Sequence, residues 1–182
     1  MASILDTLTQ RQGDTRKSVS WYRNAINDIS GSGNRARLMR EGQLTARPNP
    51  GLLNLFFYDP KYKATLPYYD TFPLVLPVES YRGGFVGLNF HYLPPALRLR
   101  FLEQMQRFQT STRANARFDV SWARVKNLPF AKACAKKYLY SQVRSSFLKI
   151  DLKSAAVACF LPVQQFKKAS DGQVYAKSRS FI

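Results

Sequence analysis

Asp119 followed by Asp151-Leu152-Lys153 is formally the acidic, acidic-x-Lys arrangement of metal-dependent nucleases. In such sites two carboxylates hold Mg²⁺ and a lysine stands beside the attacked phosphate. The pattern is short, and in a chain with 28 Lys and Arg an Asp-x-Lys arises readily by chance. Asp151 also precedes a helix-like run that it suits as an N-cap. Both aspartates fall at expected helix starts rather than on paired strands. His91 is the sole histidine, so a His-based metal cluster has nothing to build on; between Phe90 and Tyr92 it reads as a strand residue hydrogen-bonded at the sheet face. Cys134 and Cys159 are 25 positions apart with no CxxC spacing, which supports neither zinc nor a disulfide framework. In their Ala-rich surroundings they read as buried apolar thiols. Phosphate-binding Gly-x4-Gly-Lys-Ser/Thr and GxGxxG loops are absent; Gly83, Gly84 and Gly87 fit a tight turn and close strand packing. The residues therefore assign no catalytic group, no metal and no cofactor.

Binding is better supported than catalysis. The 182 residues carry a net charge of +17, and that charge is unevenly spread. Residues 1–51 hold 8 basic and 4 acidic side chains, residues 52–96 hold 3 of each, and residues 97–182 hold 17 and 4. About 2–8 net charges suffice to keep a small domain soluble, so the excess points to an anionic partner, either nucleic acid or an acidic protein surface. Lys132, Lys136, Lys137, Arg144, Lys167 and Lys168 are the candidate contacts, and Arg98, Arg100 and Arg107 fall outside the apolar stripe of their helix. No zinc finger, RNA-binding signature or helix-turn-helix supplies a base-reading element, so nucleic-acid contact would be directed at the backbone and would weaken steeply with salt. Tyr138 and Tyr140, beside Leu139, read as core or rim residues rather than stacking platforms. No run approaches the ~20 apolar residues of a membrane span, and residues 1–6 lack the charged-then-apolar pattern of a secretory leader. Neither a membrane nor a secretory role is expected.

The elements that must position these cations follow from periodicity. The length is about one domain's worth of chain, and the pattern divides it into a 1–51 arm and a single 52–182 α+β domain. In the arm, Val19, Tyr22, Ile26 and Ile29 make an amphipathic helix closed by Gly31 to Asn34, and residues 47–51 (Arg-Pro-Asn-Pro-Gly) cannot continue any helix. Trp21 and Tyr22 on an exposed arm suit docking on a neighbour; the alternative is that the helix folds back over its own core. Residues 52–58 form a continuous apolar strand. Residues 72–78 alternate around two prolines that push them to a sheet edge. Gly83-Gly84 turns the chain into a returning strand over 85–92. From Pro94 the period becomes helical, with Leu97, Phe101, Met105 and Phe108 on one stripe. A short helix is expected near 119–125 and the longest one over 131–148; 155–161 is a compact apolar segment, and 166 onward is a basic tail. The expected fold is α+β: a small meandering antiparallel sheet of about three strands packed by C-terminal helices, with an extended N-terminal arm.

Four blocks carry a family likeness. They run from Phe57-Tyr58-Asp59-Pro60 through Tyr68-Tyr69-Asp70 to Pro73, from Gly84 through His91-Tyr92 to Pro95, over Lys136-Lys137-Tyr138-Leu139, and from Phe160-Leu161-Pro162 to Ala169. Together they resemble the DNA end protector-like, virion-associated proteins of T-even-like and marine tailed phages. The likeness spans roughly residues 52–170 and leaves the arm outside. It implies a non-enzymatic virion component with other virion proteins and double-stranded DNA ends as partners, present in multiple symmetric copies. Two readings stay open: a protein that covers DNA ends with its basic half, or a tail, baseplate or neck subunit that docks through its arm and does not bind DNA.

Overall fold

In the computed structural model the described residues are 2–29, 31–110 and 116–182. The apolar run after Gly51 gives a short strand, β2 (Leu53–Leu55), preceded by β1 (Leu44–Thr45). A long hairpin follows, β4 (Leu74–Tyr81) and β5 (Gly84–Asn89), turning at Gly83, whose φ of 87° is open only to glycine at no cost. With β6 (Ala135–Leu139) and β7 (Phe147–Ile150) these strands build a six-stranded antiparallel sheet in the order β1-β7-β2-β4-β5-β6. A second sheet pairs β3 (Tyr69–Asp70) with β8 (Phe166–Lys167). The α+β class is as expected, but the main sheet has twice the expected strands.

Three departures have physical reasons. Residues 131–148 are not one helix. A short helix, α6 (Pro129–Cys134), ends and the next five residues add to the open edge of β5, pairing Phe85 with Tyr138 and Gly87 with Lys136. Ala, Lys and Leu favour a helix locally, and a non-local ladder overrides that preference. The edge position expected for residues 72–78 is not what forms, because β4 lies between β2 and β5. Pro77 is tolerated there because its register with β5 slips between Pro77 and Glu79, so the ladder asks no N–H of it. Residues beyond 166 are not a tail: after β8 they form α8 (Asp171–Arg179), started by a Ser170–Gln173 capping box.

The expected extended arm is likewise three helices, α1 (Ile4–Gln12), α2 (Val19–Asn27) and α3 (Arg35–Glu41). Their reason for folding back is α7 (Leu152–Phe160), whose residues 155–160 are all buried. A helix apolar on every side needs cover on every side. It is covered by α1, by α2, by β7 and by α4 (Pro95–Met105), which Pro95 starts in its first turn. Ile4, Leu8, Ile26 and Leu38 are buried in the same core as Phe101, Met105 and Cys159. Each such side chain contributes roughly 1.5–3 kcal/mol by leaving water. The remaining helix, α5 (Trp122–Val125), is one turn long, within the expected 119–125.

The two faces of the main sheet differ. Leu53, Leu55, Leu74, Leu76 and Leu88 join the helix-packed core. Phe56, Tyr58, Val75, Phe85, Tyr138 and Phe147 form a separate aromatic cluster, with the half-buried Val143 packed against it.

Candidate functional site

That aromatic face opens into a cleft of about 680 Å³. Residues 58–69 make one wall; the other is made by Tyr81 at the end of β4, Asn89 at the end of β5, Tyr92 just after it, and Lys136 to Leu139 on β6. Seven of the chain's ten tyrosines line it: Tyr58, Tyr62, Tyr68, Tyr69, Tyr81, Tyr92 and Tyr138. Some are fixed by their hydroxyls. The Leu139 N–H donates to the Tyr58 hydroxyl at 3.0 Å, and the Tyr81 hydroxyl donates to the Tyr138 carbonyl at 3.1 Å. Rings hold others, with Tyr58 and Tyr138 edge-on at 5.0 Å and Tyr68 and Tyr92 at 5.9 Å. Gly84 lets β5 and β6 close up there, since a Cβ on it would collide with the Tyr138 carbonyl and the Tyr81 ring. Burial raises the Tyr92 and Tyr138 phenols above their ordinary values, so both stay protonated donors at neutral pH.

Lys61, Lys136 and Lys137 complete the lining, and none of them has a carboxylate partner among the described residues. Lys136 is half-buried with its Nζ 4.2 Å from the centre of the Tyr92 ring, a cation–π contact. Burial draws its ammonium below the ordinary lysine value. Lys61 reaches over Tyr62 at 5.4 Å from the other wall. Asp59 does not neutralise them: it accepts from Lys63 at 2.7 Å and lies 4.0 Å from Arg144.

The floor is set by a buried polar network. Asp70 accepts from the Phe72 and Gln165 N–H groups at 3.0 Å each, from Asn89 Nδ2 at 3.2 Å, and from His91 Nδ1 at 2.9 Å. Burial alone would raise this carboxyl, but the His91 ring and the two backbone donors outweigh it and hold the group below its ordinary value. Burial lowers His91, and its Nε2 is enclosed with no partner among the described residues, so the ring is neutral and donates from Nδ1. His91 lies in a helical turn, residues 90–92, rather than on a strand, and hydrogen bonding through its ring is as expected.

Arg98 corrects another expectation. It is fully buried rather than facing a phosphate. Its Nε donates to the Leu93 carbonyl at 2.7 Å, Nη1 to the Cys159 carbonyl at 3.0 Å, and Nη2 to the Tyr175 hydroxyl at 2.9 Å. The guanidinium thereby satisfies a carbonyl in the last turn of α7, where the helix dipole favours a cation.

Of the cations singled out in the sequence, Lys136 and Lys137 meet in the cleft. Lys167 pairs with Tyr69 across the small sheet and is exposed, and Lys132 is exposed on α6. Lys168 is engaged instead: its ammonium donates to the carbonyls of Lys63, Ala64 and Leu66 at 2.6–3.1 Å, tying down the cleft's outer wall. Arg144 is exposed but turned on its own loop, donating to the Ser141 carbonyl at 2.9 Å. Tyr22 cannot dock on a neighbour, because it is 1% exposed, stacked on Phe160 at 4.9 Å with 8° between the rings. Trp21 is half-buried and packs edge-on against it. The nuclease candidates have separate neighbours: Asp119 accepts from Arg124, Asp151 pairs with Lys149, and Lys153 pairs with Asp14. The Cys134 and Cys159 thiols are each pushed up to about 12 by burial.

The tyrosine lining was not assigned from composition or period, since the rings come from four separated stretches. One signal did exist. The blocks that carry the family likeness supply Tyr58, Tyr62, Tyr68, Tyr69, Tyr92 and Tyr138, and all six line one cleft. The chain matches the family model described as Phage T4 terminal DNA protecting protein over residues 5–182. The match therefore includes nearly all of the first 51 residues, which the likeness had left outside. No curated protein and no solved structure matches the chain.

Proposed function

The chain belongs to the phage T4 terminal DNA protecting protein family, and from that premise we propose that it sits on double-stranded DNA ends in the virion and shields them without performing chemistry. The observation that carries this reading is the cleft, where seven tyrosines surround Lys61, Lys136 and Lys137, none of which has a carboxylate partner among the described residues. Lysines that meet phosphates release condensed counterions, and aromatic rings accept any base face, so both contributions are indifferent to sequence. A terminus held there is closed to an exonuclease, which must thread that same end. Lys132 and Lys167, exposed outside the cleft, add phosphate contacts along the flanking duplex. The docking reading loses its main support, because the helix that would dock buries its apolar stripe in the core.

The test is digestion of a linear duplex by an exonuclease at low salt with stoichiometric protein. The proposal expects protection that fades steeply as salt rises. Digestion at an unchanged rate at about 50 mM salt, where such contacts are strong, would refute it.

A further inference from the structure

Resting on the DNA-end reading, we infer that the tyrosine cleft is a pocket for one unpaired terminal nucleotide, with its base among the rings and its phosphate at Lys136. Size is the first argument. A cleft of about 680 Å³ lies within the roughly 300–1,000 Å³ of pockets that enclose one small molecule. It has room for a nucleotide and not for a duplex, whose major groove alone is about 12 Å wide.

Chemistry is the second. Lys136 is half-buried, rests on Tyr92 and makes no hydrogen bond or ion pair among the described residues. A desolvated cation without a counter-ion is costly, and a phosphate at the cleft mouth relieves that cost. The Tyr68, Tyr69 and Tyr92 hydroxyls make no hydrogen bond to the described residues and so remain for a ligand. The one amide in the lining, Asn89, is fully buried and turned into the floor: Nδ2 donates to Asp70, and Oδ1 accepts from the His91 N–H. With no exposed amide to read a base edge, the pocket holds any base. A duplex interior offers no such nucleotide, whereas an end offers one by fraying or as an overhang, because an unpaired base costs least to extract. The pocket would thus recognise the end itself rather than the helix beside it.

The experiment measures binding of the full chain to one short duplex in four forms: sealed by hairpins at both ends, blunt, or carrying a single unpaired nucleotide at the 5′ or the 3′ strand. The extended form should bind about tenfold more tightly than the sealed one, the scale of one base stacking on an aromatic ring, and the two overhangs identify the strand. Changing the overhanging base should leave affinity within about twofold. Lys136→Gln and Tyr68→Ala should each erase the preference for extended ends, while Lys153→Gln, at a lysine paired with Asp14 outside the cleft, should keep it. Equal binding of sealed and extended duplexes by the unaltered protein overturns the pocket and leaves the DNA reading standing. A preference that survives both cleft variants also overturns it. Absence of binding to every form at low salt overturns the DNA reading and the pocket together.

Discussion

Replacing Tyr22 by alanine separates a folded-back N-terminal region from a free arm. The side chain is 1% exposed and lies flat on Phe160, with ring centres 4.9 Å apart. Its hydroxyl donates to Gln12 Oε1 at 2.7 Å and accepts from the Lys17 N–H at 3.3 Å. Truncating a buried aromatic costs about 3–5 kcal/mol. A domain of this length loses roughly 2–4 °C of melting temperature per kcal/mol, so Tyr22→Ala should melt about 10 °C lower. Tyr22→Phe keeps the stack and removes only the hydroxyl, leaving buried Gln12 Oε1 unpaired, for about 1–2 kcal/mol. Phe160→Ala and the Tyr22→Ala/Phe160→Ala double variant close the cycle: beyond simple additivity the two rings should be coupled by about 0.5–1.5 kcal/mol. Thermal melting followed by circular dichroism reads all five proteins. The reasoning is refuted if Tyr22→Ala melts within about 2 °C of the unaltered chain, or if residues 1–42 melt in a separate early step while the sheet is unaffected. Either result would make the first helices an arm after all.

Two further outcomes follow from the buried network under the cleft. Asp70 titrates below its ordinary 3.8 and His91 below its ordinary 6.5 in the folded chain. In both cases the unfolded chain binds the proton first, so their contribution is complete above the unfolded value and is lost as pH falls. The denaturant midpoint should therefore fall from pH 7 to pH 5 through His91 and fall again below about pH 4 through Asp70; a flat midpoint over the whole range would contradict the assignment. Arg98→Met should cost about 3–5 kcal/mol, since it leaves the Leu93 and Cys159 carbonyls buried without donors and Asp70 without a compensating charge. A urea titration showing a change under about 1 kcal/mol would refute that role.

Local signals announced some of this architecture and were silent on the rest. The hairpin over Gly83, the start of α4 at Pro95 and the buried thiols follow from turn chemistry, proline geometry and apolar context, all readable over a few residues. β6 was hidden because its Ala and Lys residues favour a helix until the edge of β5 is present to pair with them. Pro77 misled because the bulge that excuses it exists only against β5. Net charge pointed to an anionic partner, and it singled out Lys136 and Lys137, which the fold brings to the cleft. It could not separate these from Lys168, whose ammonium is consumed by three carbonyls, or from Arg98, which looks like any surface arginine until α7 and α8 surround it. The aromatic walls were beyond periodicity altogether, since no window contains two opposite sides of the cleft.

The clasp of Lys168 on the 63–66 turn has a consequence in time. One wall of the cleft is synthesised early, its opposite strand some seventy residues later, and the fastening ammonium about thirty residues after that. A nascent chain still short of that fastening already carries most of its positive charge but has no finished pocket. On the proposed reading, competence to cap an end would then arrive late and abruptly, once Lys168 is in place, and shorter products would adhere to nucleic acid without guarding it.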